Sequence, residues 1–135
     1  MKRVVVSAFI VNSRNRILMT RRKDSDKYCP PGGKAECGES LEEGLAREIK
    51  EETALIVSPN DMEYLGFCDL DEKVVFFYLI FTWAGEVKNL EPHKHGEWEW
   101  LPDTPQDRDC VEGIRSFNKY LRHEMHERIA ARRAA

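Results

Sequence analysis

A helix that carries acids along its apolar face is hard to place in a water-soluble fold, and residues 40–53 of this chain spell one out. Ser40 is a strong N-cap residue, and Glu43 three positions later completes a capping box, so a helix is expected to begin here. Leu41, Leu45 and Ile49 recur every four residues and mark its inward face. At about 100° per residue, Glu52 falls inside that stripe, Glu48 on its margin and Glu51 one step further round. Burying an unpaired carboxylate is costly, and acids three and four residues apart repel one another. A solvated, ion-paired helix face explains Glu42 and Glu43 but not Glu48 and Glu52, whose positions follow the leucines. A hard divalent cation with oxygen ligands, Mg2+ or Mn2+, resolves the conflict.

The helix is preceded by Pro30-Pro31-Gly32-Gly33, a stiff turn followed by two residues that let backbone approach a ligand closely. Loop and helix together suit a metal bound to a phosphate chain. The pattern Gly33, five residues, Glu39, seven residues, Arg47-Glu48-Ile49, one residue, Glu51-Glu52, one residue, Ala54-Leu55 resembles the signature of the Nudix hydrolases. It departs from that signature at Ala54, where the family usually has Gly. The position follows the helix end, where left-handed geometry is common, and a non-Gly residue there costs about 1 kcal/mol. Every carboxylate of the motif is kept.

The resemblance implies a Nudix fold, an α/β/α sandwich with a mixed central sheet. It also implies hydrolysis of a phosphoanhydride bond in a nucleoside diphosphate derivative, with Mg2+, or Mn2+, as cofactor. By motif position the catalytic set is Arg47, Glu48, Glu51 and Glu52. Glu48 and Glu52 would be the principal metal ligands, beside the carbonyl of Gly33. Glu51 would be a further ligand or the base that takes a proton from water, and Arg47 would brace Glu39 or another acid. Lys34 would meet phosphate. In related enzymes a basic residue on an early strand reaches the substrate phosphates, which makes Arg21 or Arg22 a candidate.

The rest of the chain reads as a scaffold. Arg3 to Val11 and Arg16 to Arg22 are strand-like and flank the turn Asn12-Ser13-Arg14-Asn15, which predicts a hairpin. After the helix, Leu55-Ile56-Val57 reads as a short strand, followed by an antiparallel pair over Met62 to Leu70 and Val74 to Ala84. The run VVFFYLIFTW is almost wholly apolar, as a central strand covered on both faces should be. Thr104-Pro105 suggests a helix start, and Val111, Ile114, Phe117, Leu121, Met125 and Ile129 keep helical spacing beyond it. The motif helix and this C-terminal helix are the expected covers of the sheet. The length of the second leaves room for a homodimer contact.

With 135 residues, a single domain over 1–135 is expected. The net charge of −3 offers no global field for polymeric nucleic acid or anionic lipid, and no apolar run reaches the ~20 residues of a membrane span. Cys29, Cys37, Cys68 and Cys110 lack any CxxC spacing and read as free thiols in a reducing, cytoplasmic setting.

A second informative stretch is Glu91-Pro92-His93-Lys94-His95-Gly96-Glu97-Trp98-Glu99-Trp100. In a strand, Trp98 and Trp100 share one face and could either stack on a planar base or enter the core. The segment resembles that of Nudix enzymes acting on nucleoside and pterin triphosphates, where an acid from this region often helps hold metal or activates water. Glu91, Glu97 and Glu99 are therefore alternatives to Glu51 as base. His93 and His95, on one loop without a further ligand, are not read as a soft-metal pair. The favoured substrate is a nucleoside or deoxynucleoside triphosphate, with an ordinary or a modified base, cleaved to a monophosphate and pyrophosphate. ADP-ribose or another nucleoside diphosphate derivative is the alternative substrate, although Asp71 stands where ADP-ribose hydrolases of the family carry proline. A non-catalytic nucleotide-binding module is the alternative of another class.

Overall fold

The computed structural model describes residues 2–134, with side chains for all of these except 107, 113, 115–118, 133 and 134. The elements in order are strands β1 (Arg3–Ile10), β2 (Ile17–Arg21), β3 (Tyr28–Cys29) and β4 (Gly32–Lys34), helix α1 (Leu41–Thr53), strands β5 (Met62–Asp69), β6 (Lys73–Ile80) and β7 (Glu99–Leu101), and helix α2 (Glu112–Ala134). The main sheet has the order β4-β1-β6-β5, and a smaller one the order β3-β2-β7. β1 and β6 run parallel while β4 and β5 flank them antiparallel, so the central sheet is mixed.

Strand alternation sorts the two inner strands into two cores. Val6, Ala8, Ile10 and Ile80 turn to one face and pack with Leu45, Ile49 and Leu55 at α1. Phe9, Phe77 and Leu79 turn to the other and pack with Ile114, Leu121 and Met125 of α2. The double cover explains why β6 is apolar at almost every position. Phe117, placed on the core face of α2 by its spacing, lies outside the residues whose side chains are described.

The capping box forms as the sequence requires: Ser40 accepts from the Glu43 N–H while the Glu43 side chain accepts from the Ser40 N–H. Ala54 follows the helix in left-handed geometry, with φ of 69°, and its N–H reaches the Lys50 carbonyl at 3.1 Å. Glu42 is not a plain surface acid, since it accepts from the Tyr78 hydroxyl.

Three local expectations need correction. β1 and β2 do not form a hairpin ladder. The turn after Val11 is held by Asn12, whose Oδ1 accepts from the N–H groups of Arg14 and Arg16, and only Val11 and Ile17 bridge across it. β1 then enters the main sheet and β2 the small one, where each makes a longer ladder than the single bridge between them. Leu55-Ile56-Val57 is not a strand; it makes a single bridge, between Ile56 and Ala84, and β6 stops at Ile80. Nor does α2 start at Thr104. The buried Thr104 hydroxyl accepts from Arg122 Nε at 2.8 Å, and the Arg122 guanidinium also takes the carbonyls of Thr104 and Pro105. The chain makes a short 3-10 turn at Asp107–Asp109, and then Cys110 bridges Tyr28 and Val111 N–H donates to the Tyr28 carbonyl, alongside β3, before the helix begins.

Candidate active site

The C-terminal turn of α1 lies against the glycine turn, and Glu52 reaches across between them. Its side chain is almost fully buried; Oε1 accepts from the Gly32 N–H at 2.8 Å, and Oε2 lies 3.4 Å from His95 Nε2. Burial pushes the carboxyl up to about 8, with the Gly32 N–H pulling the other way and the charges of Glu48 and Glu91 adding to the rise. Burial lowers the His95 pKa, against the opposing pull of Glu91. At neutral pH the metal-free pair is therefore a protonated acid against a neutral imidazole, not an ion pair.

Glu48 sits over Gly33. A Cβ at Gly33 would lie 2.5 Å from the Glu48 carboxylate, so this glycine is needed for close approach. Burial also raises the Glu48 pKa, and Arg47 counters it. Arg47 holds the outer side of the acid cluster: its guanidinium donates to Glu39 at 2.8 Å, Glu48 at 3.1 Å, Glu51 at 3.3 Å and the Lys34 carbonyl at 3.1 Å. Glu51 is the most exposed of the three motif acids, with its side chain 52% accessible. The helix thus separates its acids as the spacing demands, with Glu52 inside, Glu48 at the edge and Glu51 outside.

A fourth acid comes from the loop before β7. One oxygen of Glu52, one of Glu91 and a ring nitrogen of His95 all lie within 4.8 Å of one another. The Lys94 and His95 N–H groups both donate to the Glu91 carbonyl, a single turn that faces Glu91 and His95 the same way. The loop is pinned to the end of β2, with Lys23 N–H bonding the Lys94 carbonyl and Gly96 N–H the Arg21 carbonyl, and Asn89 ties it to its own start through the carbonyls of His95 and Gly96. Glu97 and Glu99 are exposed, and Glu99 lies 3.4 Å from the Tyr28 hydroxyl. The sequence gives the His93–His95 pair no third soft ligand, so His95 is reached only through an acid. Its spacing of four from Glu91 was the usable signal.

From this cluster a trough of about 310 Å3 runs along the α2 side of the main sheet. Glu52, His95, Gly32 and Gly33 line one end, and Val5, Val75, Phe77, Val111 and Ile114 line its apolar walls. Arg22 lines the trough and is paired with Asp24 at 2.9 Å. Arg21 turns away, 4.3 Å over the Tyr28 ring and bonded to the Asp26 carbonyl. Lys34 is exposed and contributes its carbonyl to Arg47. Trp98 and Trp100 do not line the trough. Trp100 stacks on Trp83 at 5.6 Å, Trp98 sits against His95 at 5.4 Å, and both pack on the α1-side core. The reason is tertiary: β7 pairs with β2, which carries their face toward Leu18 and α1.

A buried acid that holds its proton, two further acids converging on it and a glycine cleared for close approach are a donor set suited to a hard divalent cation. No helix among the described residues is long and apolar enough to cross a membrane, and none of the four cysteines is in a disulfide.

Comparison with known proteins agrees with this geometry. Residues 1–104 match the family described as the NUDIX domain. An ADP-ribose pyrophosphatase of Methanocaldococcus jannaschii is 34% identical over 106 residues, covering 72% of this chain and 62% of that protein. The chain thus spans less than two thirds of that relative's length. An 8-oxo-dGTP diphosphatase of Escherichia coli is 32% identical over 105 residues, covering 73% of this chain and 81% of the relative. The crystal structure of a MutT NUDIX hydrolase from Burkholderia pseudomallei superposes with a TM-score of 0.76 at 27% identity, over 90% of this chain and 96% of that one. The motif helix, the mixed sheet between two helices and these matches together establish that the chain belongs to the Nudix hydrolase family.

Proposed function

We propose that the protein hydrolyses a nucleoside or deoxynucleoside triphosphate, with Mg2+ bound, to a nucleoside monophosphate and pyrophosphate. The observation that carries this reading is the grouping of Glu52 with Glu91 and His95, and of Glu48 over Gly33, at one end of a trough whose lining carries cations and apolar side chains. Glu48, Glu52 and the carbonyl of Gly33 would hold the ion, with Glu91 beside them. Bound there, Mg2+ would supply Lewis-acid polarisation of phosphate oxygens and lower the pKa of a water ligand.

The chain's own residues do the remaining work. Arg47 keeps Glu48 and Glu51 from swinging outward. Arg22, inside the trough, offers its guanidinium to the phosphate chain by exchanging Asp24 for substrate oxygens. Phe77 and Val75 form the apolar floor on which a nucleoside rests. Glu91, beside Glu52 and paired with Lys94 at 3.6 Å, and Glu51, half-exposed and tied to Arg47 at 3.3 Å, are the two candidates to take the proton from attacking water.

The similarity to 8-oxo-dGTP diphosphatases supports a triphosphate substrate with a modified base. The similarity to an ADP-ribose pyrophosphatase keeps a nucleoside diphosphate sugar as the second reading. Both are tested by Mg2+-dependent product release across nucleoside triphosphates, deoxynucleoside triphosphates with oxidised bases, and ADP-ribose. Pyrophosphate from triphosphates is the expected result. Faster cleavage of ADP-ribose would move the assignment to the second reading, and binding without turnover on the whole panel would make the protein a nucleotide-binding module.

A further inference from the structure

The trough has a second charged end. Arg3 and Lys73 are direct neighbours in the parallel register of β1 and β6, and both line the trough. Ser7, which pairs with Gly32 beside Glu52, is four residues along the same strand from Arg3. At about 3.3 Å per residue, the cation pair stands about 13 Å from the acid end, measured along the backbone. Between the ends the floor is Val5, Val75 and Phe77, with no charge.

These two cations are left without acid partners by the sheet's own ion pairs. Lys2 takes Asp69, Arg22 takes Asp24, and among the described residues neither Arg3 nor Lys73 forms an ion pair with a carboxylate. Glu52 is the sole acid on the trough lining among the described residues, and it lies at the far end. A chain of net charge −3 thus presents a local anion-attracting mouth. We infer that Arg3 and Lys73 form a subsite for a second anionic group of the substrate, a phosphate borne on the sugar or base beyond the scissile polyphosphate. Their long flexible stems let the charged heads meet such a group over the outer half of the trough. The inference rests on the trough being the nucleotide site and adds the class of nucleotide it selects.

The test compares pairs of compounds that differ by the extra phosphate: ADP-ribose against its 2′-phosphate, and GTP against guanosine 5′-triphosphate 3′-diphosphate. For the wild-type protein, kcat/KM should favour the more phosphorylated member by about tenfold, the worth of one charge-assisted contact, and this ratio should shrink as salt is raised. Arg3→Ala with Lys73→Ala should bring the ratio to about one, while Arg3→Lys alone should keep most of it. Affinities for the same pairs with Ca2+ in place of Mg2+ read the same ratio without turnover, so a chain that binds but does not cleave still tests the subsite. Equal values for both members in the wild type, or a preference that survives the double substitution, would overturn the inference. Absence of cleavage combined with a retained affinity ratio would overturn the hydrolase reading and leave the subsite standing.

Discussion

Replacing Glu52 by Gln should stabilise the metal-free protein, and the gain should grow with pH. Burial raises the Glu52 carboxyl from an ordinary 4.5 to about 8. The folded chain therefore holds this proton more tightly than the unfolded chain does. Stability from this group is complete below about pH 4.5, falls as pH rises, and stops falling above about pH 8. At about 1.4 kcal/mol per pH unit, the loss is about 3 kcal/mol at pH 7 and about 5 kcal/mol once Glu52 ionises in the fold. Gln keeps an oxygen for the Gly32 N–H and an N–H for neutral His95 but has no proton to lose, so its pH profile lacks this slope. The lowered pKa of His95 destabilises the fold on the acid side in both proteins and cancels in the difference. Urea unfolding in EDTA at pH 5, 7 and 8.5 measures that difference, which should rise from near zero to several kcal/mol. Saturating Mg2+ should narrow this gap, since an ion at a hundred times its Kd adds about 2.7 kcal/mol to the protein that binds it. A wild-type protein as stable as E52Q, or more stable, in EDTA at pH 8.5 would refute the reasoning and show Glu52 in an ion pair with charged His95.

Other substitutions probe other parts of the account. Gly33→Ala places a methyl group 2.5 Å from the Glu48 carboxylate, so Mg2+-dependent turnover should fall by about a hundredfold while the urea midpoint in EDTA hardly moves. Ala54→Gly relieves left-handed strain at φ of 69° and should raise stability by about 1 kcal/mol by calorimetry, with kcat unchanged. Trp100→Ala removes a ring stacked on Trp83; stability should drop by about 2 kcal/mol with KM for nucleotide within twofold, whereas a large KM rise would restore Trp100 to the binding site. Arg47→Lys loses the fork that holds Glu39, Glu48 and the Lys34 carbonyl together, and kcat should fall more than KM rises.

How much of this was legible beforehand follows from the range of the forces involved. The capping box, the inward leucines and the rotation that carries Glu52 inside and Glu51 outside depend on residues within four positions of one another, so α1 and its acids could be read from the chain alone. The same holds for β6, whose unbroken apolar run demanded cover on both faces, and for the left-handed Ala54 after the helix end. Long-range pairing decided the remainder. β2 left β1 for β3 and β7, and with that choice Trp98 and Trp100 turned toward Leu18 and α1 instead of the trough. The same pairing pinned the 91–96 loop to the end of β2 and delivered Glu91 and His95 to Glu52, residues some forty positions apart that no periodicity connects. Arg22 lines the trough and Arg21 lies over Tyr28 because neighbours on an extended chain point to opposite sides, and only the partner strands settle which side is which. Local spacing determined that acids would be forced inward on one helix; closure of the sheets decided what they would meet there.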